Sequence, residues 1–181
     1  FDVLNNAGTA FAPAIPPAGT PAHVTYEQHP IEASAYLQDK MEFDYLVVNA
    51  GLRLDVFDAR TEVPSDFTQP RTSERQATSA KVQLSPRLGL AYPISSSGSV
   101  HVAYGHFFQM PPFDFLFQNP DYIYDPELGL SRPFGYADLE PQQTVAYEIG
   151  LQQGFSNTIG LDLTVYYKDI RNLLGTRIET I

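Results

Sequence analysis

From residue 46 onward apolar side chains return at every second position. Leu46, Val48, Ala50, Leu52, Leu54 and Val56 are separated by Asn49, Gly51, Arg53 and Asp55. A period of two is a strand signature, because successive strand side chains point to opposite faces and a helix repeats every 3.6 residues. The same alternation recurs four times. Val82, Leu84, Leu88, Leu90 and Tyr92 oppose Gln83, Ser85, Arg87, Gly89 and Ala91, while Val100, Val102 and Tyr104 oppose His101, Ala103 and Gly105. Val145, Tyr147, Ile149 and Leu151 oppose Ala146, Glu148 and Gly150, and Leu161, Leu163 and Val165 oppose Asp162, Thr164 and Tyr166. Together with residues 31–39, these runs predict six strands in three hairpins over 31–57, 81–109 and 143–175. Short turns fall at 40–44, 94–99 and 154–158. Residues 1–30 are rich in Pro, Ala and Gly and read as an extended or irregular segment. Residues 58–80 are polar, residues 110–142 are rich in proline and aromatics, and both read as long loops.

Strands of about 10 to 13 residues exceed the usual soluble strand of about 5 to 6. In an up-and-down meander the short turns gather at one end and the long loops at the other, the asymmetry of outer-membrane barrels. The faces agree with that reading. Arg53, Arg87, Glu148 and Asp162 all fall on the polar, glycine-containing side, and an arginine facing lipid at midplane would cost about 2–4 kcal/mol. Tyr92, Tyr104, Phe107, Phe108, Tyr166 and Tyr167 lie near strand ends, where aromatic girdles meet the interface. A soluble β-sandwich with one face on a core gives the same alternation, so at this level both architectures stand.

Composition narrows the field. The 181 residues carry 11 Lys+Arg against 21 Asp+Glu, a net charge of −10. That balance opposes nucleic-acid binding, which selects basic faces. There is no cysteine, hence no disulfide or thiolate chemistry. No apolar run reaches the roughly 18 residues of a membrane-spanning helix.

Three phrases resemble the β-barrel of TonB-dependent outer-membrane receptors. Tyr36-Leu37-Gln38-Asp39 followed by Gly51-Leu52-Arg53-Leu54-Asp55 is similar to that family's YxQD … GxRxD hairpin. Leu84 to Pro93, reading LSPRLGLAYP, with Tyr104-Gly105 and Phe107-Phe108-Gln109-Met110-Pro111, resembles a second pair. Leu139-Glu140-Pro141 through Tyr147-Glu148-Ile149-Gly150, then Tyr166-Tyr167-Lys168-Asp169-Ile170, resembles a third, with Gln142 where glutamate is usual. The phrases keep the family's order over residues 30–175. The resemblance implies an all-β, antiparallel up-and-down transmembrane barrel in the bacterial outer membrane. The family's barrel is 22-stranded, so this chain reads as about six strands of it, without the plug domain that precedes such barrels. It further implies a transporter and not an enzyme. The partners would be outer-membrane lipid, an energy-transducing TonB complex acting through a plug, and an iron chelate, cobalamin or oligosaccharide as cargo.

On that implication Arg53, Arg87, Glu148 and Asp162 face the lumen or the plug, and loops 58–80 and 110–142 face outside. Phe113, Phe115, Tyr122, Tyr124, Phe134 and Tyr136 then either contact ligand at the barrel mouth or pack the loops on one another. No cofactor is implied. His23, His29, His101 and His106 have no compact ligand spacing. Asn119-Pro120-Asp121 and Asp125-Pro126-Glu127 lack the regular spacing of a calcium loop, and turn chemistry accounts for them. A plug-less porin or adhesin is the alternative within the membrane.

Overall fold

Alternation over a dozen residues commits each segment to a strand with two unlike faces, and hydrogen bonding then aligns the faces of neighbours. The structure, a computed structural model, describes residues 17, 20, 23–124 and 133–178. Six long strands form one antiparallel sheet: β1 (Ile31–Phe43), β2 (Leu46–Asp58), β5 (Lys81–Ser95), β6 (Gly98–Gln109), β7 (Gln142–Gly154) and β8 (Gly160–Arg171). Their order in space is their order in sequence, β1-β2-β5-β6-β7-β8. This is an up-and-down arc of a barrel, with β1 and β8 as its two edges.

The segment read as a loop over 58–80 contains a short ribbon, β3 (Glu62–Pro64) paired with β4 (Arg75–Ala77). Three-residue strands are too short to show a period, so polarity alone dominated the sequence signal there. The second long connection contains one helical turn, α1 (Phe113–Phe117). The first hairpin turns at Asp44-Tyr45, since Lys40 to Phe43 remain paired with β2.

The register lines up the apolar positions across the whole sheet. Met41, Val48, Leu90, Val102, Ile149 and Val165 are successive cross-strand partners. Two residues nearer the long-loop end, Leu88, Tyr104, Tyr147 and Tyr167 form the next row on that face. The three tyrosine rings touch, with centroids 5.1 and 6.2 Å apart. Asp39 and Ala50 complete this row, so the carboxylate of the edge strand sits at the height of the tyrosines. Tyr92 and Phe43 flank the same face near the short-turn end. An exposed apolar band carrying rows of aromatic residues suits a lipid-facing wall.

Period two also corrects the girdle expected from sequence. Phe107 and Phe108 are adjacent, as are Tyr166 and Tyr167, so only one of each pair can face lipid. Phe107 lies on the polar face with the Arg87 guanidinium 4.8 Å above its ring, and Tyr166 lies there beside Lys168.

The sandwich alternative fails here. Ile149 is 53% exposed and Leu163 is 56% exposed. Among the described residues no second sheet covers them, the ribbon β3–β4 being the only other sheet. The buried apolar cluster lies instead at the long-loop end, where Phe57, Ala59, Val63, Leu116, Phe117 and Ala137 pack together with Met110 and Leu139.

Replacing Ile149, in the centre of the apolar band, with arginine is expected to destabilise the membrane-inserted protein by about 2–4 kcal/mol. Thr164→Arg, one position from Val165 on the opposite face, should cost far less. Urea unfolding of the full-length protein in lipid or detergent measures both.

Candidate functional site

The polar face is built from two adjoining rows. Gln38, Gly51, Arg87, Gly105, Ala146 and Lys168 are successive partners, as are Lys40, Asn49, Gly89, Ala103, Glu148 and Tyr166. Their middle positions are mostly Gly or Ala, so the backbone itself forms the floor of a hollow of about 630 Å³. Tyr36, Arg53, Arg87, Phe107 and Glu148 stand around it. Glycine at 105 leaves room for the long arginine beside it. A Cβ on Gly105 would come within 3.5 Å of the Arg87 stem and 3.3 Å of the Phe107 ring.

The four charged residues expected on this face all lie on it, with different partners. Arg53 grips Asp55 through Nε at 2.8 and 3.0 Å and through a terminal nitrogen at 2.7 Å. Glu148 stands 3.4 Å from His101 Nε2. Asp162 accepts a 2.9 Å hydrogen bond from Gln152. Arg87 stacks on Phe107 and has no carboxylate partner among the described residues. Arg53, Arg87 and Glu148 share the hollow, whereas Asp162 sits closer to the short-turn end beside Gln152.

The six loop aromatics divide into two groups. Tyr122, Phe134 and Tyr136 join Phe67 from the first loop in edge-to-face contacts 5.2–6.0 Å apart, and Arg75 lies 5.1 Å from the Tyr122 ring. Burial raises the Tyr122 phenol above its usual value, partly offset by Arg75. Phe113 packs on Phe57 and Phe117 but stays half-exposed, as does Phe115. Tyr124 is half-buried. Asn119 is buried in a turn, its side-chain amide exchanging two hydrogen bonds with the Ile123 backbone at 2.8 and 2.9 Å. Asp125 to Glu127 lie outside the described residues, as do residues 1–16.

A clasp that sequence reasoning did not find joins the two loops. Lys81, 8% exposed, donates to Ser79 Oγ at 2.8 Å and Glu140 Oε1 at 2.7 Å, and pairs with Asp138 Oδ1 at 3.0 Å. Ser79 adds its backbone N–H and hydroxyl to the same Asp138 oxygen at 2.9 and 2.8 Å. Burial raises the Asp138 carboxyl, but the two Ser79 bonds and the Lys81 ammonium outweigh it and hold the group below its usual value. Asp66 is lowered too, by two bonds from Thr68. No local motif links positions 79–81 to 138–140, so only the fold could reveal the clasp.

The sequence profile of the family described as "TonB dependent receptor-like, beta-barrel" matches residues 1–180. No curated protein matches the chain. Among solved structures, the copper transporter OprC is similar at 16% identity with a TM-score of 0.49, over 79% of this chain and 22% of that one. The chain thus spans about a fifth of that transporter's length.

Two predictions follow from the loop geometry. A Cβ on Gly135 would sit 2.6–2.7 Å from the backbone of Gln118 and Leu116, against which Gly135 and Tyr136 donate to Gln118 O and Phe115 O. Gly135→Ala should therefore loosen this loop by about 1–3 kcal/mol, seen as faster proteolysis within 110–141. The stabilisation from Asp138 is complete above the unfolded carboxylate value of about 3.9. It should disappear as pH falls through the lower folded value. Loop proteolysis followed against pH, with Asp138→Asn as the flat control, checks the sign.

Proposed function

The chain belongs to the TonB-dependent receptor β-barrel family, a family of the outer membrane. On that premise we propose that it is an arc of a receptor importing a scarce, bulky nutrient such as an iron chelate, a cobalamin or an oligosaccharide. The observation that carries this reading is the pair of unlike faces running unbroken across six strands. An exposed apolar band with aromatic rows suits lipid, while the opposite face offers a floor of small residues surrounded by charge.

A plug seated against that floor would place its polar groups beside Arg53, Arg87, Glu148 and Asp162. Arg87 is the strongest anchor because no carboxylate among the described residues engages it, and its ring contact leaves the guanidinium N–H groups available for a charge-assisted bond. The plug in turn is where an energy-transducing TonB complex would pull. Loops 58–80 and 110–142 face outside, with Phe113, Phe115 and Tyr136 positioned for cargo. Tyr122, Tyr124 and Phe134 support them from behind.

The test uses the full-length receptor in outer membranes. Unboiled protein should migrate faster than boiled protein in both the parent and Arg87→Glu, which establishes that the barrel is closed. In the variant, plug retention under mild urea and uptake should fall about tenfold, as expected for losing one charged hydrogen bond of about 1.5–3 kcal/mol. Unchanged retention and uptake in a closed barrel would remove Arg87 from the plug interface. Absence of any heat-dependent migration in the parent would overturn the barrel transporter itself.

A further inference from the structure

Five of the strand pairs in a wall like this would ordinarily be zipped along their length, but one is not. The β5–β6 ladder stops at Arg87–Gly105, although β5 stays paired to β2 as far as Lys81 and β6 stays paired to β7 as far as Gln109. Residues 81–86 and 106–109 therefore flank a split at the long-loop end of the sheet. Pro86, which has no N–H to donate, occupies the first position beyond the last pair. Ser85 follows, 1% exposed, with a hydroxyl that finds no hydrogen-bond partner among the described residues.

Side chains cross where the main chain does not. Gln143 donates to Gln83 Oε1 at 3.0 Å. Lys81 reaches Asp138 and Glu140, and Asp138 also receives both Ser79 bonds. A continuous ladder opens only by breaking many bonds together. A split held by a few individually weak side-chain bridges can open locally.

We propose that this split is a latched seam. The upper wall between β5 and β6 opens about the Arg87–Gly105 pair, and the Lys81–Asp138–Glu140 cluster is its latch. Ser79 lies at the end of the first long loop and Lys81 opens β5, while Asp138 and Glu140 belong to the second long loop. Releasing the latch therefore moves both loops with the wall, coupling their separation to the seam. The device is independent of which cargo is carried or whether a plug is present.

Hydrogen exchange on the full-length protein in detergent reads the seam directly. Amides of 81–85 and 106–109 should exchange about tenfold faster than those of 88–92 and 100–104, and Asp138→Asn should widen that gap by about tenfold again. Gln83→Cys/Gln143→Cys joined by a short bis-methanethiosulfonate crosslinker should slow exchange at the seam, and reductant should restore it. Equal protection above and below Arg87–Gly105 in the parent would overturn the proposal. So would a crosslink that forms without slowing the seam, a result that decides the matter even if Asp138→Asn fails to fold.

Discussion

Every other feature depends on the cross-strand register. Because side chains alternate with period two, a slip of one residue between any two strands would turn a row of valines and leucines toward charge. The row from Met41 to Val165 crosses five interfaces without such a slip. That is what leaves Arg53, Arg87, Glu148 and Asp162 together on the other side. The register also stacks the small residues. Gly51, Gly105 and Ala146 share a row with Arg87, and Gly89 and Ala103 share one with Glu148. The hollow on the polar face is thus a consequence of strand alignment, and no loop has to shape it.

The long-loop end obeys a different rule. There the chain leaves the sheet, and backbone groups need partners from elsewhere. Two devices hold the loops in place there. The apolar cluster around Phe57 and Leu116 gives the loops a small core, and the clasp around Lys81 ties their ends. Asp138 satisfies an otherwise costly buried ammonium while accepting from Ser79, so one carboxylate fixes both the end of β4's loop and the approach to β7. The weak point of the wall, beyond Arg87–Gly105, coincides with this clasp. Polar side chains have taken over where Pro86 interrupts the ladder.

The six long strands and their two faces were legible because alternation is a local property repeated over a dozen residues. The family phrases added order and identity, and the charged residues of the polar face followed by counting parity. Parity also exposes what was misread. Phe107 and Tyr166 look like girdle residues by distance from a strand end, but their neighbours Phe108 and Tyr167 hold the outward positions. The short ribbon at 62–64 and 75–77 lies below the length at which a period can be seen, and α1 is a single turn in a Pro-rich stretch.

The sequence by itself determined which residues alternate, which face each occupies within its strand, and where the chain must turn. Those depend on nearest neighbours and on the two-residue repeat of an extended backbone. Only the tertiary structure decided that Arg87 sits between two glycines over Phe107, that Phe67 packs on Tyr122 and Tyr136, and that Lys81 meets Asp138 and Glu140. Each of these joins residues from separate strands or loops. Contacts at such separations are fixed by how strands stack and loops fold back, and no local pattern encodes them.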